Sequence, residues 1–234
     1  MTDPALALTD LRFAWPGRDG FALRCPDFAL GQGETVLLLG ESGSGKSTLL
    51  SLICGIVAAG PGQVRIGGTD LGALRAGARD RFRAEGIGVI FQQFNLLPYA
   101  SVADNILLPL RFAPQRRARA AKGGCVMAEV QRLCAAIGLP DDIVTRPAGR
   151  LSVGQQQRVA VVRALIGQPP LIVADEPTSA LDAATQDAFL ALLFGQLRAA
   201  GAALLMVSHD ERLAPRFDRT VHLRDIVTTP RVAA

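Results

Sequence analysis

The feature that most constrains this chain is a glycine-rich loop between an apolar run and a helical pattern. Residues 35–39 form a short run of threonine, valine and leucine, which leads into Gly40-Glu41-Ser42-Gly43-Ser44-Gly45-Lys46-Ser47-Thr48. Residues 49–53 then repeat apolar side chains at helical spacing. This order of strand, loop and helix predicts a phosphate-binding P-loop rather than a glycine-rich turn with a solvated lysine.

The residue types in the loop suit a nucleoside triphosphate bound with a metal ion. Its glycines let the backbone wrap closely around phosphates, so that amide hydrogens converge on the anion. The helix that follows adds the positive end of its dipole. Lys46 is predicted to reach the β- and γ-phosphates, and the Ser47 hydroxyl to bind Mg²⁺.

Two further apolar runs end in side chains that suit the same chemistry. Residues 171–174 lead into Asp175 and Glu176, and residues 203–207 lead into Ser208 and His209. Asp175 is suited to bind Mg²⁺ indirectly. Glu176 is then expected to lie near the position of an attacking water. Ligands collect at the carboxyl ends of strands in open α/β sheets, so His209 is as readily catalytic as structural.

Two other stretches have alternative interpretations. Ser152 precedes a helical pattern as a natural N-cap, which gives either a second anion-binding helix end or an ordinary capped helix. Gln92 follows the buried-strand pattern of residues 87–91, and apolar residues follow it at Phe94, Leu96 and Leu97. We interpret Gln92 as a hinge next to an exposed apolar patch that could bind a partner.

Composition limits the class of protein. Hydrophobic residues make up 49% of the 234 residues, yet no uninterrupted apolar run approaches the roughly 18 residues of a membrane span. The first residues lack the pattern of a secretory signal, so a soluble, cytoplasmic chain is expected. The net charge of +4 is compatible with a nucleic acid, an anionic membrane face or no special partner.

One basic cluster lies in a helical region of the chain. The patterns predict helices over residues 102–110, 126–137 and 153–166, with a basic, alanine-rich and mobile stretch at 114–124. The cluster comprises Arg111, Arg116, Arg117, Arg119 and Lys122. It is either a solvated helical face or a contact for lipid headgroups.

The cysteines are expected to be ordinary core residues, whereas the single tryptophan has two interpretations. Cys25, Cys54, Cys125 and Cys134 form no CxxC pair, which favours small buried hydrophobes over disulfides or zinc. Trp15 lies within residues 5–30, which predict short strands around a turn. It is either a core aromatic or a flat surface on which adenine stacks.

Together these stretches resemble an ABC-type ATPase, the nucleotide-binding subunit of an ABC transporter, over nearly the whole chain. The resemblance implies an α/β fold: a P-loop NTPase core with a mostly parallel sheet, an N-terminal antiparallel β region and an inserted α-helical subdomain. It implies one domain, with the core at about residues 1–92 and 166–234 and the helical subdomain at about 93–165.

The resemblance also implies roles for individual residues. Residues 40–48 match the Walker A loop, and Gln92 matches the Q-loop glutamine, expected on Mg²⁺ and water. Ser152, Gly154 and Gln155 match the signature sequence, in which Val153 replaces the usual glycine. Asp175 and Glu176 match the Walker B aspartate and the catalytic glutamate. Asp182 ends the D-loop match, His209 matches the switch histidine, and Trp15 falls where the family places its adenine-stacking aromatic.

The implied function is ATP binding and hydrolysis that powers a separate membrane permease. ATP and Mg²⁺ are the expected cofactors, and ATP is expected to join two copies head to tail. Phe94, Leu96, Leu97 and Tyr99 are expected to contact the permease, which would hold the chain at the cytoplasmic face of the inner or plasma membrane. No nucleic acid is expected, and the membrane is reached only through the permease.

Residues 87–98 and 103–110 further resemble the lipoprotein-release, macrolide-export and cell-division branch of the family. This branch implies export or lipoprotein release. The alternative within it is an ATP-driven switch that regulates an extracytoplasmic partner without transport. Outside it, a soluble ABC ATPase of translation or DNA repair usually carries two cassettes or a long coiled-coil insertion, and a P-loop kinase or GTPase has no reason to carry the signature.

Overall fold

The computed structural model describes residues 3–15, 22–41, 43–179 and 183–228. Their strands are β1 (Leu6–Ala14), β2 (Ala22–Leu30), β3 (Thr35–Leu39), β4 (Val64–Ile66), β5 (Thr69–Asp70), β6 (Ile87–Ile90), β7 (Leu171–Asp175), β8 (Ala203–Ser208) and β9 (Arg219–His222). Their α-helices are α1 (Lys46–Ile53), α2 (Ala76–Gly86), α3 (Val102–Leu107), α4 (Pro114–Ala120), α5 (Val126–Ala136), α6 (Val153–Leu165), α7 (Ala183–Ala200) and α8 (Leu223–Ile226). Short 3₁₀ turns lie between several of these elements.

The chain forms two compact units, one of residues 1–83 and 203–234 and the other of residues 84–202. In the first unit, β3 lies between β8 and β9 and runs parallel to both. The register aligns Leu39 with Ser208 and with His222, so the three strands end side by side. The residues that follow β3 and β8 therefore meet at one edge of this sheet.

An antiparallel sheet completes the first unit. β1 pairs with β2 on one side and with β4 on the other, and β4 pairs with β5. Along β1, Leu6, Leu8 and Leu11 are buried in the core, and the exposed polar residues Thr9 and Asp10 lie between the last two. This confirms the predicted N-terminal strands, although they are longer than expected.

In the second unit, β6 runs parallel to β7, and α3, α4, α5 and α6 lie between them in sequence. The predicted helices over 102–110, 126–137 and 153–166 are confirmed, with a 3₁₀ turn at Leu108–Arg111 finishing the first. Helix α7 buries an apolar stripe of Phe189, Leu193 and Leu197, which repeats every four residues. The parallel strands, antiparallel N-terminal region and inserted helices match the predicted fold class.

The basic stretch at 114–124 differs from its prediction. Residues 114–120 form helix α4, with Pro114 in its first turn, where a missing amide hydrogen costs nothing. This helix was not predicted, and the prediction that the stretch is mobile stays a prediction. Helix α2 was not predicted at all, because its side chains are nearly all polar or small and carry no apolar period.

Candidate nucleotide site

The glycine-rich loop lies in the first unit between β3 and α1, as predicted. Gly43 and Gly45 have φ angles of 80° and 98°, which L side chains rarely adopt, so glycine is required there. The Lys46 ammonium donates to the carbonyl oxygens of Gly40 at 2.6 Å and Glu41 at 2.9 Å. The cation is therefore held over the loop. Ser42 lies outside the described residues.

The first residue of the loop is fixed by close contacts on three sides. The Gly40 amide donates to the Ser208 carbonyl at the end of β8, at 3.2 Å. A β-carbon at position 40 would lie 3.0 Å from the Ser44 hydroxyl and 3.2 Å from the Leu223 β-carbon. The Ser44 hydroxyl in turn donates to the Glu41 carbonyl at 2.7 Å. The loop is therefore built on the strand ends and closed by its own serine.

His209 lies beside the loop. A cavity of about 270 Å³ opens at the carboxyl ends of the strands. Its lining includes Gly40, Glu41, Ser44, His209 and His222. Both histidines of the chain therefore line this cavity. Sequence reasoning placed only His209 there; His222 was missed because the short, polar strand β9 that ends in it was not predicted.

Trp15 follows the last residue of β1 and is half-buried. Its indole Nε1 donates to the Thr48 hydroxyl at 3.3 Å. The Phe13 ring meets it edge to face, with the ring centroids 5.0 Å apart. Thr48 is the last residue of the Walker A match, so the indole is attached to the predicted phosphate loop rather than enclosed in the core.

The carboxylates end strand β7 in the second unit, as predicted. Asp175 and Glu176 are both half-buried. Glu176 has a φ of 43°, the left-handed conformation, which is uncommon for a residue with a β-carbon and clusters at functional sites. The turn after it is held by Gln157 of α6, which donates to the Pro177 carbonyl. Asp182, the predicted end of the D-loop, lies outside the described residues.

The start of α6 is an exposed helix end in the second unit. Ser152 is the N-cap: its hydroxyl accepts from the Gln155 amide, and the Gln155 side chain accepts from the Ser152 amide. The predicted cap is therefore confirmed and is a full capping box. Val153 is 54% exposed, and a β-carbon at Gly154 would meet nothing within 4 Å. The helix end is thus open to a ligand.

The segment after β6 is partly exposed, and several hydrogen bonds hold its backbone. Gln92 is exposed, and Phe94 and Asn95 have φ angles of 57° and 48°. Leu97 is held at its amide and its carbonyl by the buried side chain of Asn105, at 2.7 and 3.1 Å. Among the described residues, Tyr99, at 81% exposure, is the most exposed large apolar or aromatic side chain. We refer to residues 94–99 as the docking segment.

The basic cluster is not one surface. Arg116 is only 1% exposed and donates to the carbonyl oxygens of five residues, which are Ala84, Ile87, Arg163, Ala164 and Ile166. Arg119 donates to the carbonyls of Glu85 and Gly167. Arg111, Arg117 and Lys122 remain exposed. Both proposed surfaces, the solvated face and the lipid contact, are therefore wrong for Arg116, which bonds the backbone at the C-terminal end of α6.

Burial separates the cysteines. Cys25, Cys54 and Cys134 are buried and Cys125 is exposed, and all four are thiols rather than disulfides. Burial raises the pKa of the Cys25 and Cys134 thiols to about 11. The expectation of small buried residues is therefore confirmed for three cysteines and wrong for Cys125.

The predicted metal donors are all oxygen atoms, which is the ligand type that Mg²⁺ prefers. They are the Ser47 hydroxyl, the Asp175 carboxylate and the Gln92 side-chain carbonyl. The described residues contain no group of three or more His, Cys, Asp or Glu side chains that could hold a metal alone. Asp175 is the one carboxylate among the three predicted donors, and Mg²⁺ is commonly held by one or two carboxylates together with phosphates and waters.

Comparison with known proteins identifies the family. The sequence profile of the family described as ABC transporter matches residues 23–179, well over half of the chain. The chain belongs to the ABC transporter family. The predicted recognition is therefore confirmed, and so are its consequences that this ABC protein binds ATP and is an ATPase.

Two relatives place this ABC subunit in a branch. It is 40% identical over 228 residues to the lipoprotein-releasing system ATP-binding protein LolD of Novosphingobium aromaticivorans, covering 96% of this chain and 98% of the other. It is 37% identical over 231 residues to the macrolide export ATP-binding/permease protein MacB of Shigella flexneri, covering 97% of this chain and 34% of MacB. These relatives favour a transporter ATP-binding subunit over the non-transporting switch.

A solved structure supports the fold of this ABC subunit. The chain is 31% identical to the ATP-binding cassette MJ0796 in a dimeric, post-hydrolysis structure bound to ADP and Pi. The match covers 93% of each chain with a TM-score of 0.73. The predicted P-loop NTPase fold of the ABC type is confirmed. Within the described residues, none of the helices combines the length and the apolar composition that crossing a membrane requires.

Proposed function

We propose that two copies of this chain bind two ATP molecules head to tail. Each ATP lies between residues 40–48 of one copy and residues 152–155 of the other. Both stretches lead into a helix, and a helix N-terminus attracts anions through its amide hydrogens and its dipole. Two such ends repel each other until a triphosphate fills the gap, so ATP favours the dimer and hydrolysis weakens it. The dimeric MJ0796 structure with ADP and Pi supports this arrangement.

Glu176 is the proposed general base. A positioned carboxylate that polarises the attacking water contributes on the order of 10²–10⁴ in rate. The left-handed backbone at Glu176 supports this role, because strain of this kind clusters at active sites. His209, beside the phosphate loop in the same cavity as Ser44, holds the γ-phosphate and orients Glu176.

Mg²⁺ is the proposed metal cofactor, held by Ser47, Gln92 and Asp175 together with the phosphates. When bound, it neutralises charge that develops on the phosphate oxygens. On the base side of the nucleotide, Trp15 provides the surface on which adenine stacks. Its attachment to Thr48, the last residue of the phosphate loop, supports this placement. Asp182, at the end of the D-loop match, is a further proposed contact of the nucleotide site.

The docking segment is the proposed contact with a membrane permease. The apolar side chains of this hydrogen-bonded segment suit a partner helix that lies in a groove. We propose that the helical subdomain, at about residues 93–165, receives the permease, with the core at about residues 1–92 and 166–234. The permease holds the chain at the cytoplasmic face of the membrane. Lipoprotein release or macrolide-type export is the proposed task, by analogy with LolD and MacB.

The observation that carries the dimer proposal is the open helix end at Ser152. The capping box holds this end in shape, and Gly154 faces free space. The test is gel filtration of Glu176→Gln with ATP and Mg²⁺, because this change removes the base and leaves the ATP-bound dimer trapped. We expect a dimer with ATP and a monomer with ADP. A Glu176→Gln chain that stays monomeric at saturating ATP refutes the proposal.

A second substitution tests whether the dimer depends on the Ser152 end of α6. In the Glu176→Gln background, Gly154→Asp places a negative charge where the other copy's triphosphate is expected, without steric conflict inside its own copy. We expect ATP to bind but the dimer to be lost. The matched control is Gly195→Asp on α7, where a β-carbon also meets nothing within 4 Å and the dimer should persist. Equal dimerisation of the two variants contradicts the assignment.

A further inference from the structure

The docking segment is fastened to α6 by one arginine. Arg163, in the last turn of α6, is 9% exposed. Its guanidinium donates from Nη1 to the Asn95 carbonyl at 2.7 Å and from Nη2 to the Phe94 carbonyl at 2.5 Å. This fork bonds two consecutive carbonyls, a geometry that a lysine ammonium cannot reproduce.

The carbonyls that Arg163 bonds belong to a strained turn. Phe94 and Asn95 are both in the left-handed region, which costs on the order of 1–3 kcal/mol for each residue with a β-carbon. Such backbone persists only where its surroundings impose it. Arg163 is therefore placed to keep the docking segment in a conformation that it would not adopt alone.

A second buried arginine joins the same helix end to the start of β6. Arg116 donates to the Ile87 carbonyl at 3.1 Å, and also to the carbonyls of Arg163 at 3.2 Å and Ala164 at 2.6 Å. Arg116, on α4, therefore links the first residue of β6 to the C-terminal end of α6, and Arg163 links the turn that follows β6 to the same end. The strand, the docking segment and the helix are linked as one body.

The opposite end of α6 carries Ser152. A helix of 13 residues is about 20 Å long and stiff along its axis. A displacement of the Ser152 end therefore reaches the Arg163 end as a movement of the whole helix rather than being absorbed locally. Arg163 is the direct link from that movement to the docking segment.

We propose that Arg163 is a positioning residue that couples the nucleotide-contacting end of α6 to the docking segment. This inference rests on the proposed ATP-bound dimer and deepens it: ATP contacted at Ser152 alters the docking segment through α6 and Arg163. A purely structural clamp would stabilise the fold equally but would not make the docking segment respond to ATP.

The test is amide hydrogen exchange of residues 93–99, measured with and without ATP and Mg²⁺ in the Glu176→Gln background. The amides of Phe94, Asn95 and Leu97 are hydrogen-bonded, at 3.0, 2.6 and 2.7 Å, so their exchange reports opening of the segment. We expect ATP to change this exchange in Glu176→Gln. Added Arg163→Met should keep the ATP-dependent dimer but reduce that change by about threefold or more.

The matched control is Arg158→Met. Arg158 lies on the same helix and also donates to a loop carbonyl, but that carbonyl belongs to Gly138, at 3.1 Å, and not to the docking segment. This variant should retain the full ATP-dependent change. If Arg163→Met fails to fold, Arg163→Lys decides, since it keeps the charge but not the two-carbonyl fork. Loss of the change at an unaltered melting temperature supports the proposal.

The outcomes separate this inference from the proposed function. If Glu176→Gln does not dimerise with ATP, the proposed function fails, and the inference fails with it. If the dimer forms but exchange of residues 93–99 does not respond to ATP, only the inference is overturned. The inference is also overturned if the exchange of residues 93–99 in the folded Arg163 variant responds to ATP as fully as it does in Arg158→Met.

Discussion

Replacing Arg116 tests how much this buried arginine stabilises the fold. Its guanidinium bonds backbone carbonyls rather than a carboxylate. Its guanidinium makes five hydrogen bonds, all to backbone carbonyls, and those carbonyls belong to the end of α2, the start of β6 and the end of α6. Burial lowers the pKa of the Arg116 side chain to about 10, so the group is still charged at neutral pH. Its amide donates to the Glu85 carboxylate at 2.7 Å, which adds a favourable charge nearby.

The magnitude follows from what Arg116→Ala leaves behind. The carbonyls lose their donors in a site that excludes water, and each unsatisfied buried group costs about 1–3 kcal/mol. Removing the buried charge recovers part of this cost, so we expect a loss of about 3–5 kcal/mol, as for breaking a buried ion pair. At about 2–4 °C for each kcal/mol in a chain of this size, the melting temperature falls by roughly 6–20 °C.

The assay is thermal unfolding followed by circular dichroism, with Arg117→Ala as the matched control. Arg117 is the next residue of α4 and is exposed, so its removal should change stability by no more than about 0.5 kcal/mol. A melting temperature for Arg116→Ala within 2 °C or so of Arg117→Ala would refute the argument that these carbonyls need a donor.

Three other predictions concern the site and the thiols. Lys46→Ala should lose most ATP binding or hydrolysis in a coupled ATPase assay, because the loop loses its only cation; unchanged turnover would contradict the P-loop assignment. Trp15→Ala should raise the KM for ATP by roughly 5- to 150-fold, since stacking on an aromatic ring is worth about 1–3 kcal/mol for each base, and Trp15→Tyr should restore it; an unchanged KM for Trp15→Ala would assign Trp15 to packing. At pH 8, Cys125 should be alkylated by iodoacetamide well before Cys25 and Cys134, whose burial raises their pKa to about 11 and keeps them protonated; mass spectrometry that finds equal labelling in the folded chain would contradict the burial argument.

Contiguous sequence was enough to predict the parts of the site that depend on local chemistry. The phosphate loop needs glycines at left-handed positions and a lysine at the start of a helix, and all of these lie within residues 40–48. The Ser152 cap is equally local, because its hydrogen bonds reach only three residues along the chain. The apolar strands that end in Asp175 and Ser208 were visible because a fully buried strand is an apolar run.

Tertiary structure alone decided which polar side chains are buried. Nothing in the basic stretch distinguishes Arg116 from Arg117, yet the first is buried and the second exposed, because the carbonyls that Arg116 bonds lie 29 to 50 residues away in sequence. His222 joins His209 in one cavity only because β9 pairs with β3, a pairing that its polar residues do not signal. Apolar periodicity reports which side chains leave water, but the burial of a charged side chain depends on distant backbone groups that satisfy it. The sequence therefore determined the chemistry of this protein, and the fold determined which of its arginines hold that chemistry in place.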